Sequence, residues 1–216
     1  MDAIIFDFDG VIVDSEKYWR REEKKFFKSV IPGWKETDHH KIVGMTMAGS
    51  YELFRKDYEM DISLEEYLEE YKDIARRVYE QCSLIEGMTV LLGKLQKATI
   101  PLAVASSAPG EWVRHILKNQ GIFGYFRAIV TAEDIGEYEG KPKPAIYLLT
   151  AKKLGVKPET CIAIEDATNG ILAAKTAGMK CIGVDFPGNT PQNLSRADLV
   201  ITDFNELSIE QLNSLI

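Results

Sequence analysis

No run of 18 apolar residues occurs in the sequence, so no helix is expected to cross a membrane. Met1 leads at once into an apolar stretch with no basic region or cleavage site, and no secretory leader is expected. Cysteine is scarce. Cys82, Cys161 and Cys181 show neither CxxC spacing nor a neighbouring histidine, which sets a zinc site aside. An odd count without a pairing framework predicts free thiols in a reducing compartment, and a cytoplasmic location follows as the expectation. Positive charge is also short. Lys and Arg number 26 against 33 Asp and Glu, a formal net charge of −7 that predicts repulsion from nucleic acid and anionic membranes. An acidic chain can still bind an anionic ligand if positive charge is gathered locally, and a metal ion is one source.

What the chain has is room and pattern. Its 216 residues can hold one core domain with a modest insertion. Residues 3–6 form a short, Ile-rich run ending on Asp7, too short for a helix, and predict a buried strand. Runs at 101–106, 128–131, 161–164 and 181–184 predict four more strands, with 199–201 as a sixth. Helical spacing occupies 88–96, 111–119, 145–154 and 170–177, the last closed by Gly178. This alternation predicts an α/β fold: a doubly wound, Rossmann-like parallel sheet with helices on both faces.

The alternation fails between residues 15 and 83, where only helix is expected. Leu64, Tyr67, Leu68, Tyr71, Ile74, Ala75, Val78 and Tyr79 recur at helical spacing, and Ser63 with Glu66 forms a capping box. Tyr51, Leu53, Phe54 and Tyr58 predict another helix. Trp19, Phe26 and Phe27 predict a first one, starting near Ser15. The expected organisation is a core of residues 1–14 and 87–216 carrying an all-α insert, residues 15–86.

Ligands of open parallel sheets bind beyond the carboxyl ends of the strands. Those ends carry Asp7 and Asp9, then Ser106 and Ser107, then Glu165 and Asp166, with Lys141 following the third strand. Each has an ordinary explanation when taken singly. The aspartate pair resembles the start of a calcium loop, but its glycine comes fourth instead of sixth and a buried strand precedes it. The serines could begin a turn or cap the next helix. Lys141 could be an exposed lysine, and Glu165-Asp166 could cap the helix that follows. Taken together they gather four carboxylates, two hydroxyls and an ammonium at one edge. Such carboxylates raise one another's pKa unless a cation relieves them, and hard oxygen ligands suit Mg²⁺.

Asp7-Phe8-Asp9-Gly10-Val11, Ser106, Lys141-Pro142 and Glu165-Asp166 together resemble the haloacid dehalogenase-like hydrolase superfamily. The resemblance spans nearly the whole chain. Within the superfamily it is greatest to the β-phosphoglucomutase and small-metabolite phosphatase branch, whose helical cap domain follows the first strand. It implies that Asp7 attacks phosphorus and forms an aspartyl-phosphate. Asp9 would protonate the leaving oxygen and then take a proton from water. The Ser106 hydroxyl and the Ser107 N–H would hold phosphoryl oxygens, and Lys141 would neutralise charge on nucleophile and phosphate. Asp7, the carbonyl of Asp9 and Asp166 would coordinate Mg²⁺, with Glu165 binding directly or through water.

The resemblance also narrows the reaction. The second aspartate, Asp9, disfavours dehalogenation and phosphonate cleavage. A mutase of this branch carries an arginine and a histidine in its cap for a second phosphate; here Met47 and Trp19 stand at the matching positions. A phosphatase acting on a small phosphorylated metabolite, a sugar phosphate by preference, is therefore the expected activity, ahead of β-phosphoglucomutase. A non-catalytic phosphoacceptor switch is the reading from another class. Cap candidates for specificity are Trp19, Arg20, Glu23, His39, His40, Met45, Met47 and Arg55, of which Trp19 and Met47 are assigned to the lining. The adjacent histidines are expected at the surface, His115 in a structural role, and the protein as a monomer.

Overall fold

The first strand sets the architecture. In β1 (Ala3–Phe6) all four side chains are buried, Ala3 and Ile5 in one apolar cluster, Ile4 and Phe6 in another. A strand covered on both faces belongs in a parallel sheet with helices on either side. The computed structural model, which describes residues 1–136 and 139–216, has that form. The other strands are β2 (Leu102–Ala105), β3 (Phe126–Val130), β4 (Cys161–Glu165), β5 (Lys180–Val184) and β6 (Leu199–Ile201). All run parallel, in the order β3-β2-β1-β4-β5-β6. The chain builds β2 and β3 to one side of β1 and then returns to place β4 on the other. That reversal opens a crevice at the carboxyl ends of β1 and β4.

Between β1 and β2 lie α1 (Glu16–Val30), α2 (Met47–Asp57), α3 (Leu64–Tyr79) and α4 (Met88–Lys97). Beyond β2 come α5 (Gly110–Asn119), α6 (Ala145–Leu154), α7 (Thr168–Thr176) and the short α8 (Ile209–Ser214). Ile146 and Tyr147 of α6 and Ile171 of α7 pack on the Ala3/Ile5 face. Leu92 of α4, Leu117 of α5 and Leu212 of α8 join the Ile4/Phe6 side.

The first three helices hold one another through aromatic rings. Phe27 meets Phe54 at 5.0 Å between centroids, Phe26 meets Tyr67 at 5.2 Å, and Tyr67 meets Tyr71 at 4.9 Å. Ser63 caps α3, and Glu66 returns the bond to the Ser63 backbone. The chain enters and leaves this segment through adjacent linkers. Val13 and Leu84 form an antiparallel bridge, and Ile85 N–H donates to Ile12 O at 3.0 Å. Among the described residues, no helix is long and apolar enough to cross a membrane.

Candidate active site

Asp7 lies one residue past the end of β1. Its N–H donates to Ile164 O at 2.9 Å, so strand pairing continues beneath the side chain. The chain then turns at Gly10, where φ is +71° and a Cβ would fall 2.0 Å from Asp166 Oδ2. Glycine at this position lets the turn after β1 approach the acid that follows β4.

Lys141 is buried between two carboxylates. Its Nζ lies 2.5 Å from Asp7 Oδ1 and 2.6 Å from Glu165 Oε1. Burial works against the ammonium form, but Asp7 and Glu165 outweigh it and hold the lysine above its ordinary range. This is no exposed lysine. Tyr147 donates to the same Glu165 Oε1 at 2.5 Å. Glu165 also presses on α7, where a Cβ at Gly170 would fall 2.0 Å from its carboxylate.

Asp7, Glu165 and Asp166 each offer an oxygen within 4.8 Å of the others, and all three are buried. Burial first, then neighbouring negative charge, pushes Glu165 and Asp166 above the ordinary carboxylate range. Asn189 Nδ2 steadies Asp166 Oδ2 at 3.1 Å and also donates to Gly10 O at 2.8 Å. A compact set of hard oxygen donors with surplus negative charge fits a divalent cation of the Mg²⁺ type. The Asp9 carboxylate is not part of this group.

Asp9 instead faces α1 and α3. Its Oδ1 accepts from Ser15 Oγ at 2.6 Å and Trp19 Nε1 at 3.0 Å, and Tyr79 OH lies 3.1 Å from both oxygens. Burial, aided by the charge on Asp7, raises its pKa to about 6 against these three donors. A carboxyl group poised there can carry a proton in one step and accept one in the next.

The two serines cap no helix; α5 begins after Pro109. Ser106 Oγ accepts from Ala108 N–H at 3.0 Å, which leaves its own proton free to donate. Ser107 Oγ donates to Gly44 O at 2.7 Å, so it ties the sheet edge to the loop before α2. Asn169 Nδ2 makes the same kind of tie, to Lys41 O at 3.0 Å and Val43 O at 2.9 Å. A cavity of about 70 Å³ remains between the edge and the helices. Asp7, Asp9, Trp19, Met45, Met47 and Ser107 are among the residues that line it.

The histidine expectation divides. His40 is exposed, but His39 is buried on the cavity wall, its Nε2 2.6 Å from Glu23 Oε2. The 3-10 turn Glu36–Lys41 puts these neighbours on different sides of the backbone. Arg20 and Arg55 are exposed and pair with Glu36 and Glu52, outside the cavity lining. His115 is exposed on α5 beside Asn119. Sequence reasoning did not assign Ser15, Tyr79, Tyr147 or Asn189 to the site. Tyr79 and Tyr147 sit on apolar helical stripes that read as core, while Ser15 reads as the start of a helix.

The family model for haloacid dehalogenase-like hydrolases matches residues 4–184. The Bacillus subtilis protein YhcW, provisionally named a phosphatase, is 36% identical over 187 residues, covering 83% of this chain and 81% of that one. The phosphorylated carbohydrates phosphatase of Thermotoga maritima is 30% identical over 183 residues, covering 84% of each. Among solved structures, β-phosphoglucomutase of Clostridium difficile superposes with a TM-score of 0.79 at 27% identity, over 99% of this chain and 96% of that one.

Proposed function

Because this chain belongs to the haloacid dehalogenase-like hydrolase family, we propose that it is a magnesium-dependent phosphatase of a small phosphorylated metabolite, a sugar phosphate by preference. The observation that carries this reading is the division of labour between two aspartates two residues apart. Asp7 sits in the charged cluster with Lys141, Glu165 and Asp166, whereas Asp9 is held apart by Ser15, Trp19 and Tyr79.

In the first half-reaction a carboxylate oxygen of Asp7 attacks phosphorus, and the bond from phosphorus to the leaving oxygen breaks. Asp9 gives that oxygen its proton. In the second, Asp9 takes a proton from water, the water oxygen attacks phosphorus, and the Asp7–phosphorus bond breaks to release phosphate. Ser106 Oγ and the Ser107 N–H hold phosphoryl oxygens, and Lys141 offsets charge shared between Asp7 and phosphate. Asp7, the Asp9 carbonyl and Asp166, with Glu165 nearby, would hold Mg²⁺, which would supply charge neutralisation at the phosphoryl group.

Residues 15–86 act in this reading as a cap on a core of residues 1–14 and 87–216. The cavity of about 70 Å³ is well below the ~300–1,000 Å³ of most small-molecule sites. Substrate entry then requires the cap to swing on its paired linkers and to close for chemistry. The same cap orientation in solution scattering with and without a phosphate mimic would count against this motion. The three buried, free cysteines suit a reducing cytoplasm, and a monomer is the simplest assembly the reading needs.

The deciding experiment is phosphate release from a panel of phosphorylated metabolites with Mg²⁺, run beside Asp7→Asn. Steady turnover lost in the variant supports the reading; retained turnover overturns it. A single long-lived phosphorylation would favour a phosphoacceptor switch. Conversion of β-glucose 1-phosphate to glucose 6-phosphate would favour the mutase, against the apolar Met47 and the Asp9-bound Trp19.

A further inference from the structure

Among the described residues, Glu16 Oε2 and His39 Nδ1 are buried without a hydrogen-bond partner, and both residues line the cavity that holds Asp7 and Asp9. Glu16 is 6% exposed and His39 4%. Folded proteins leave few such atoms unpaired, and a ligand that completes them is one physical reason to do so. Thr190 Oγ1, beside Glu16, also lacks a bond of normal geometry.

The other half of the histidine is committed. Its Nε2 lies 2.6 Å from Glu23 Oε2, and Glu23 Oε1 accepts from Tyr71 OH at 2.7 Å. Tyr71 is wedged between Trp19 and Tyr67, at 6.1 and 4.9 Å between ring centroids. The imidazole is thereby fixed in place with Nδ1 left over.

On the basis of the phosphatase reading, we propose that Glu16 and His39 form the subsite for the organic part of the substrate. That part is an uncharged polyhydroxyl chain or ring, with one hydroxyl for each residue. The chemistry of the two atoms selects it. Imidazole Nδ1 donates or accepts according to the protonation of the ring, and a carboxyl oxygen does likewise. A hydroxyl pairs with either form of each. An ammonium cannot accept from an Nδ1–H. A second phosphate would face Glu16, Glu23 and Asp9 together, and an alkyl chain would leave both atoms unpaired.

The test compares phosphate release from a hexitol 6-phosphate, glycerol 3-phosphate, phosphoethanolamine and acetyl phosphate. The proteins are wild type, Glu16→Ala, His39→Gln and His39→Asn. Glutamine keeps an amide on Glu23 but lacks an equivalent of Nδ1; asparagine keeps an amide near Nδ1 but lets go of Glu23. For Glu16→Ala and His39→Gln, kcat/KM for the hexitol ester should fall at least ~10-fold relative to acetyl phosphate, mainly through KM. His39→Asn should keep more of that ratio than His39→Gln. As a readout apart from turnover, the hexitol ester should shift the His39 ring nitrogen resonances in Asp7→Asn protein.

An unmoved ratio, or an equal loss on all four compounds, would overturn the subsite while leaving the phosphatase intact. So would dependence confined to phosphoethanolamine, or ligand binding that leaves the His39 signals in place. If wild type releases phosphate from none of the four compounds, the phosphatase reading and the subsite fail together.

Discussion

At the sheet edge each buried charge has a partner: Asp7 and Glu165 share Lys141, and Asp166 takes an amide from Asn189. In the helical segment opposite, a core of interlocked aromatic rings supports a wall where Glu16 Oε2 and His39 Nδ1 remain unpaired. The contrast is one of commitment. The edge is electrostatically complete apart from the surplus negative charge that a cation would balance, so it is preorganised for one reaction. The helices are complete as a packing unit and incomplete as a recognition surface. If the proposed reading holds, chemistry and selectivity are divided between two regions with different physics, and substitutions in each should fail in different ways.

The sharpest way to break the comparison is Asp7→Asn. The amide keeps the shape of the carboxylate but is a far poorer nucleophile. Turnover should fall by at least ~10⁴-fold, the scale on which loss of a nucleophile is felt. Circular dichroism should show a retained fold. Residual turnover within tenfold of wild type would mean that the edge is not committed as argued.

Lys141→Ala should do the next greatest damage, and on two counts. Removing the ammonium leaves Asp7 and Glu165 buried face to face, so stability should drop by about 3–5 kcal/mol in urea titration, as for other broken buried ion pairs. Turnover should fall on the order of 10²–10³-fold, as when a preorganised charge-stabilising donor is lost. An alanine variant as stable as wild type would show that these charges are not in the balance described.

How far the two regions were legible in sequence follows the same division. The six strands and the acids at their ends could be read because a buried parallel strand is a short apolar run and its ligand-bearing end is the next polar residue. Asp7 follows β1 directly and Asp9 lies two residues on, while Glu165 closes β4 and Asp166 follows it. Tyr79 and Tyr147 follow no such rule. Each occupies an apolar helical stripe, and only tertiary structure reveals that its hydroxyl reaches Asp9 or Glu165. His39 and His40 are adjacent and alike in sequence, yet the turn that separates them into wall and surface is set by contacts of α1, not by local pattern.

Tyr79→Phe probes the seam between the regions, since a tyrosine of α3 here donates to the carboxylate of Asp9, just beyond β1. The hydroxyl favours ionised Asp9, and its loss should raise the pKa of Asp9 from about 6. The proposed first step needs Asp9 protonated, so kcat/KM declines as pH rises through that pKa. In the variant this decline should move to higher pH by about one unit, equivalent to ~1.4 kcal/mol. Rate profiles at fixed Mg²⁺ between pH 5 and 9 would show it. A shift to lower pH would contradict the donor role of Tyr79.

Ser107→Ala should have the smallest effect and separates two jobs within one residue. The backbone N–H, proposed to hold a phosphoryl oxygen, survives the change. What is lost is the Oγ bond to Gly44 O, 2.7 Å long, between the sheet edge and the loop leading into α2. A single neutral hydrogen bond contributes about 1 kcal/mol net, or roughly fivefold in an equilibrium. The closed arrangement should be that much less favoured, raising KM several-fold. Asn169 still holds Lys41 O and Val43 O, so closure is weakened but not abolished. If release of product through an opening cap limits the cycle, kcat should hold or rise while KM increases. A loss in kcat without a change in KM would instead place the Ser107 hydroxyl in the chemistry of the edge.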